Sequence, residues 1–462
     1  MQSGLLMTTE MNIELIRKYN IAGPRYTSYP TVPYWETDQF STEKWKESFI
    51  ETFQRTNDVG ISLYIHLPFC ESLCTYCGCN TRITINHKVE EPYIDTVLKE
   101  WKMYLDLFSA KPKIKEIHLG GGTPTFFSSE NLKKLIKGIL SDTKRANNFE
   151  FGIEGHPNYT KPEQLQTLYD LGFRRLSFGI QDFDPRVQEI VNRLQSFDQV
   201  KTITEAARKI GYESVNFDLI YGLPLQTKQS IINTVEKVRE LKPDRIAFYS
   251  YAHVPWIKPG QRKFTEHDLP KDEEKRALYE LGRAMLEESG YLEIGMDHFA
   301  LKNDSLFKAT ELKTLHRNFM GYTTTTTKLQ IGLGVSSIGD SWNAFAQNLK
   351  VFEDYVRIVN EGHLPVFRGH FLSQEDLILR QHILNIMCRF ETSWKNENEQ
   401  HVSLYEGLER LHEMVKDGLL VIEPFVLHVT DKGKPFVRNI CMALDARLWR
   451  NQPKTAIFSS TV

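Results

Sequence analysis

The chain runs to 462 residues with 41% apolar content, enough for a large core and about three domain-sized units. Its 57 basic and 59 acidic residues leave a net charge of −2, which argues against a polyanionic partner such as nucleic acid. No stretch reaches the ~18 uninterrupted apolar residues of a membrane helix. Met1 to Asn12 lack the basic flank and apolar run of a signal peptide, and the clustering of the cysteines favours a metal in a reducing cytoplasm.

Residues 1–55 form an N-terminal arm. Within it Gly23-Pro24-Arg25-Tyr26-Thr27-Ser28-Tyr29-Pro30-Thr31 is expected to be extended, because its prolines and glycine disfavour a helix. From about residue 60 to 290 strand-like runs alternate with amphipathic stretches. The strands are expected at Ile61–Leu67, Ile114–Leu119, Phe149–Glu154, Arg175–Ile180, Ser214–Ile220 and Arg245–Tyr251. The helices between and after them are Tyr93–Phe108, Ser129–Leu140, Pro185–Ile210, Lys228–Leu241 and Lys271–Ser289. Six β–α alternations imply an α/β fold with a parallel sheet and right-handed crossovers. The strands read as nearly continuous apolar runs, the pattern of burial on both faces. Six units are fewer than the eight of a closed barrel, so an open partial barrel with a wide mouth is predicted.

The core is assigned to 56–290 and an extension of it to 291–365. A small, mainly helical C-terminal domain, 366–462, carries Gln374–Ile386, Ser403–Asp417 and the apolar run Leu419–Glu423. Thr323–Thr327 reads as a loop. Neither an internal repeat beyond the β–α alternation nor a coiled-coil seam is present, and a monomer is the default.

Ligands in such sheets meet the C-terminal strand ends. Here those ends carry Cys70–Cys79, Gly120-Gly121-Gly122-Thr123-Pro124-Thr125, Glu154, Gln181, Asp218 and Tyr251-Ala252-His253. Four of the six cysteines fall within ten residues, which is no disulfide framework. The spacing C-x₃-C-x₂-C of Cys70, Cys74 and Cys77 holds three irons of a [4Fe–4S] cube and leaves the fourth open. Zinc, with His66 or His87 added, is the competing reading, and the spacing is poor for it. A closed cluster through Cys79 is disfavoured by the cramped bite of Cys77-Gly78-Cys79. Cys388 and Cys441 read as buried small hydrophobes. The glycine turn lacks the Lys-Ser/Thr of a phosphate loop and suits a small zwitterion. Glu154 suits an amino group. Asp218, inside an apolar run, demands a buried partner.

Together these residues resemble the radical S-adenosylmethionine superfamily. Within it the chain resembles the oxygen-independent coproporphyrinogen III oxidases. The resemblance runs through Gly23–Pro30, Cys70–Asn80, Gly120–Thr125, Asn216–Pro224, Tyr251–His253, Met296–Phe299, His316–Phe319, Gly321–Thr324 and Arg438–Met442. It implies a radical-SAM (β/α)6 partial barrel and a cluster on Cys70, Cys74 and Cys77. It further implies two S-adenosylmethionine molecules, the first near Tyr64, Tyr76, Gly121, Glu154 and Ile338. The second lies near Gly122, Thr123, Gln181, Arg193, Asp218 and Ala252. Cys79 is implied to lie by the chemistry without binding the cluster. The implied reaction turns two propionates of coproporphyrinogen III into vinyls, giving protoporphyrinogen IX in haem biosynthesis, with an outside electron donor and acceptor. Arg25 and Arg317 are the candidate cations for the substrate's four carboxylates. The competing functions are haem delivery by a non-enzymatic relative, radical methyl transfer to haem, and passive electron transfer. At Thr325–Gly332 the chain departs from the family pattern, which places an aspartate before the Leu-rich turn. The departure bears on the loop near Ile338 and not on the cluster or the glycine turn.

Overall fold

Alternation of strand and helix builds one large sheet whose middle is parallel. Its first six strands are β1 (Ile61–Leu67), β2 (Lys113–Gly121), β3 (Lys144–Gly155), β4 (Arg175–Gln181), β5 (Ser214–Tyr221) and β6 (Arg245–Ser250). They lie side by side in chain order. An antiparallel pair, β7 (Leu292–Gly295) and β8 (His298–Ala300), extends the β6 edge through β8. On the other edge β9 (Gln330–Leu333) runs parallel to β1. The antiparallel strands β10 (Ile338–Asp340), β11 (Ala344–Asn348) and β12 (Val366–Phe371) follow. The sheet has twelve strands and two free edges, so the barrel is partial, as the count of units requires. The computed structural model of the chain describes residues 14–396, 399–453, 458–459 and 461. Met1–Asn12, read above as no signal peptide, lie outside the described residues.

The central strands are not apolar on both faces. One face carries Leu63, Ile65, Leu67, Ile117, Leu119, Phe151, Ile153, Phe178, Phe217 and Ile246, all at most 1% exposed and packed in the main core. The alternate positions carry Tyr64, His66, Glu116, His118, Glu150, Glu154, Ser177, Asn216, Asp218, Arg245 and Tyr249. Period-two alternation therefore holds, and it marks a polar interior rather than a solvated back. The expectation of doubly buried apolar strands is corrected on this point.

The helices start where side chains can cap them. Ser41 caps Thr42–Thr56, Ser128 caps Ser129–Leu140, Ser196 caps Phe197–Ile210 and Thr227 caps Lys228–Leu241, each accepting a backbone N–H of the first turn. The helix Thr42–Thr56, buried through Trp45, Phe49 and Phe53, was not anticipated. The stretch Pro185–Ile210 is two helices, Pro185–Ile190 and Phe197–Ile210, not one. The break has a use. The Val191 and Ile190 carbonyls and the Asn192 side chain all bond the cysteine loop, at Thr75 N (2.9 Å), Thr75 Oγ1 (3.3 Å) and Leu73 O (2.7 Å).

A second core joins the arm to the C-terminal region. Tyr19, Tyr26 and Tyr29 pack with Ile383, Met387, Phe436 and Ile440. Gly23–Thr31 is non-helical, as expected. Arg438 donates to Pro24 O (2.9 Å) and Gly23 O, Asn439 donates to Tyr19 O (2.8 Å), and Tyr26 donates to Asp445 (3.0 Å). Two sequence motifs more than 400 residues apart thus hold each other. Residues 402–417 again form two short helices, and a three-stranded sheet over 391–429 completes this end. Cys388 and Cys441 are buried there, 4% and 0% exposed.

Candidate functional site

Twelve of the residues singled out line one cavity of about 190 Å³ at the C-terminal end of the parallel strands: Cys70, Cys74, Cys77, Cys79, Tyr76, Gly121, Gly122, Thr123, Glu154, Gln181, Arg193 and Asp218. A neighbouring cavity of about 270 Å³ takes Tyr64 and Ile338 and shares Glu154. A third, about 110 Å³, lies on the polar inner face and is lined by Glu154, Asp218, Ser177, Asn216, Arg245 and His298 among others. Glu154 therefore stands where all three meet. Ala252 lines none of them; its carbonyl accepts from Gln261 at 3.2 Å, beside the cysteine loop.

The cysteine loop is held by its neighbours. Thr123 Oγ1 lies 3.3 Å from Cys70 Sγ, Arg193 Nη1 donates to Cys74 Sγ at 3.4 Å, and the Cys79 N–H donates to Cys77 Sγ at 3.4 Å. A hydrogen bond from the Cys79 side chain, chief among several causes, draws the Cys77 thiol down to about 6 and pushes Cys79 well above its usual range. Burial raises Cys70 to about 11. All six cysteines are free. His66 cannot complete a zinc site as placed: its ring nitrogens meet Tyr64 OH (3.1 Å) and Asn80 O (2.8 Å). His87 is taken by Glu90 at 2.7 Å and stacks on Phe126.

The glycine turn is a cradle that side chains would fill. A Cβ on Gly121, whose φ is +115°, would lie 2.8 Å from the His66 ring. One on Gly122 would lie 2.6 Å from Pro68 O, and one on Gly120 would lie 3.0 Å from the Glu154 carboxylate. Burial alone would raise the Glu154 carboxyl. Hydrogen bonds from His118 Nε2 (3.0 Å) and the Gly121 N–H, with the nearby imidazoles, outweigh it and hold the group below its usual range. Glu154 is thus an anion facing the turn. Asp218 does the opposite: burial, then Glu154, raises it to about 6 despite hydrogen bonds from Ser177 (3.0 Å) and Asn216 (2.8 Å). Its environment calls for donors from outside, such as paired hydroxyls.

Three thiols around one cavity, an arginine and a threonine hydroxyl against their sulfurs, and a cradle of backbone amides facing an anion fit an iron–sulfur cluster with a zwitterionic ligand beside it. His118, His156, Tyr159, Ser177, Asn216 and Gln261 belong to the site and were missed. His118, Ser177 and Asn216 sit at inward positions of strands, and strict alternation would have found them. Gln261 meets Tyr76 O at 3.1 Å across 185 residues, a contact without a local signal. Arg25 and Arg317 line none of the three cavities. Arg25 pairs with Asp297, and Arg317, 3% exposed, lies over the Tyr322 ring and donates to Arg25 O at 3.3 Å. Around the departure, Gln330–Leu333 keeps register with Ser62–Ile65.

The Radical SAM superfamily model matches residues 64–238. An oxygen-independent coproporphyrinogen III oxidase of Helicobacter pylori is 38% identical over 444 residues, 95% of this chain and 97% of that protein. One of Escherichia coli is 37% identical over 458 residues, 98% and 99% of the two chains. The solved structure of the Escherichia coli coproporphyrinogen III oxidase, described as a radical SAM enzyme, superposes with a TM-score of 0.87 at 36% identity, covering 91% of this chain and 97% of that one. With its cysteine triad, glycine turn and strand-end carboxylates in one place, the chain belongs to the oxygen-independent coproporphyrinogen III oxidase family of the radical SAM superfamily.

Proposed function

We propose that the chain converts coproporphyrinogen III to protoporphyrinogen IX without oxygen, by oxidative decarboxylation of two propionates to vinyls in haem biosynthesis. The observation that carries this is the single cavity uniting the cysteine triad, the glycine turn, Glu154 and Asp218 in a chain that matches the family nearly end to end. When bound, a [4Fe–4S] cluster and S-adenosylmethionine supply the electron and the 5′-deoxyadenosyl radical that removes a propionate β-hydrogen, after which carbon dioxide and one electron leave.

Cys70, Cys74 and Cys77 would hold the cluster, and Arg193 and Thr123 steady the sulfurs of Cys74 and Cys70. The anionic Glu154 orients the ammonium of a first S-adenosylmethionine, with Tyr64, Tyr76, Gly121 and Ile338 around it. Gly122, Thr123, Gln181, Arg193, Asp218 and Ala252 serve a second molecule, with Asp218 accepting from its hydroxyls. Cys79 reaches the reacting region as a protonated thiol bonded to Cys77. Gln261, donating to Tyr76 O and Ala252 O, ties the segment Pro259–Lys263 to the cysteine loop. Among the described residues no helix is long and apolar enough to cross a membrane. A cytoplasmic monomer served by separate electron donor and acceptor completes the reading. So does the division 1–55, 56–290, 291–365 and 366–462, in which the shared second core couples the first and last parts.

Anaerobic protein reconstituted with iron and sulfide, given reductant, S-adenosylmethionine and coproporphyrinogen III, should release 5′-deoxyadenosine and form protoporphyrinogen IX. Cofactor cleavage without a vinyl product defeats the substrate assignment. Stable haem binding without turnover, or a methylated tetrapyrrole, transfers the chain to a different activity.

A further inference from the structure

The reaction above leaves unassigned the groups that hold a substrate with four carboxylates, and this inference rests on that reading. Of the arginines expected to serve, Arg25 is paired with Asp297, and Arg317, 3% exposed and over the Tyr322 ring, lines none of the three cavities. Three other cations stand at the edge of the cavities without a counter-ion. Lys258 donates to Cys79 O at 3.4 Å, on the lip of the cysteine cavity. Lys350 lies next to it in space: its carbonyl accepts from Asn80 Nδ2 at 2.9 Å, and Asn80 O meets His66. Arg368 donates through Nε to Gln347 Oε1 at 2.8 Å, and Gln347 donates to Ser336 O at 3.1 Å. Ser336 and His66 line the Tyr64–Ile338 cavity. The three cations thus follow the rim from one cavity to the other.

Among the described residues none of the three meets a carboxylate within ion-pair distance, although ion pairs are common over the rest of the surface. The carboxylate close by in sequence, Glu353, is taken by Arg82. Partial burial, followed by Arg368 and Lys258, pulls the Lys350 ammonium below its usual range, so the three feel one another's charge. In a chain of net charge −2 this is no spill-over of a general positive excess. Like charges gathered at a cavity mouth with no internal partner call for an anion from outside. Arg368 leaves both terminal nitrogens free of protein bonds, the fork that a carboxylate matches.

We propose that Lys258, Lys350 and Arg368 form the rim that receives the propionate carboxylates of the tetrapyrrole and sets which propionate lies over the cysteine cavity. The test is equilibrium binding of coproporphyrin III, the stable fluorescent oxidised analogue, to the full-length reconstituted protein without reductant. Neutralising one cation, in K258Q, K350Q or R368Q, weakens binding by about fivefold. The triple variant loses about a hundredfold and loses most of the dependence on salt. K258R and K350R restore binding. K133Q, the same charge change on the remote helix Ser129–Leu140, leaves it alone. The uncharged tetramethyl ester binds wild type and triple variant alike. A triple variant that binds coproporphyrin III as tightly as wild type, with the same salt dependence, overturns the rim while the assigned reaction stands. A wild-type protein that does not bind coproporphyrin III at all overturns the rim; the reaction falls only if turnover of coproporphyrinogen III gives no vinyl product.

Discussion

The two faces of the same six strands make opposite use of adjacent residues. Leu63, Ile65, Ile117 and Ile153 face the helices and are at most 1% exposed. Tyr64, His66, His118 and Glu154, their neighbours in sequence, face a connected set of polar cavities. The first set supplies apolar burial, worth about 1.5–3 kcal/mol per large side chain. The second face also holds buried polar atoms with no partner among the described residues, Arg245 Nη1, His298 Nδ1 and Gln330 Oε1, and such groups tend to lower stability until a ligand completes them. Stability and chemistry are thus separated by one residue along the chain, and substitutions should separate them too.

The largest effect is expected at the cysteines. Cys74→Ser should abolish cluster binding and turnover, while the melting of the cluster-free protein moves by less than about 1 kcal/mol, because Cys74 is not part of either core. Iron analysis and calorimetry read the two halves separately. On the other face Phe151→Ala should do the reverse. It should lower stability by about 3–5 kcal/mol through the cavity it leaves, and the folded fraction should still take up a full complement of iron. Equal damage to both properties from either variant would erase the distinction between the faces.

Gly122→Ala comes next. Its Cβ would fall 2.6 Å from Pro68 O, a backbone atom that cannot swing away. The turn must shift, and turnover should fall about 10²-fold by misplacement of the bound cofactor, with iron content kept. Cys79→Ser should also keep the cluster and lose product formation. Loss of iron in that variant would make Cys79 a ligand.

The smallest effect is on pH dependence. The Asp218 carboxyl is raised to about 6 from 3.8 in the open chain. Between those values the folded protein holds the proton more tightly than the unfolded one, so this group's contribution to stability falls as pH rises from about 4 to 6. Asp218→Asn removes that slope and should stabilise the cofactor-free protein at neutral pH by on the order of 1 kcal/mol, while weakening S-adenosylmethionine binding. Denaturation at pH 4 and pH 7 checks the sign: a gap between wild type and variant that narrows toward neutral pH contradicts it.

Much of this frame was legible in the chain. Five of the six expected strand starts fall within one residue of the observed ones, because glycine turns and capped helices punctuate the repeat. The third begins at Lys144, five residues early, since Lys144–Asn148 carry one small apolar residue, Ala146, and join β2 at Lys113 and Ile114 without an apolar run to announce them. The cysteines and glycines were legible because their chemistry is local. The inner face was not: His118 meets Glu154 across 36 residues, and Ser177 and Asn216 look like surface positions until the sheet curls. The break before Phe197 was hidden for a related reason, since Asn192 leaves the helix to hold Leu73, 119 residues away. The rim shows the same limit. Lys258, Lys350 and Arg368 are unremarkable in sequence and become a group only through Cys79, Asn80 and Gln347.

Electron paramagnetic resonance of the reduced, reconstituted protein before and after adding S-adenosylmethionine tests the central claim most directly. A cluster held by Cys70, Cys74 and Cys77 alone has an iron free to take the added molecule, and its signal should change shape on addition. A signal that stays the same, from a protein shown to bind S-adenosylmethionine, would contradict the account.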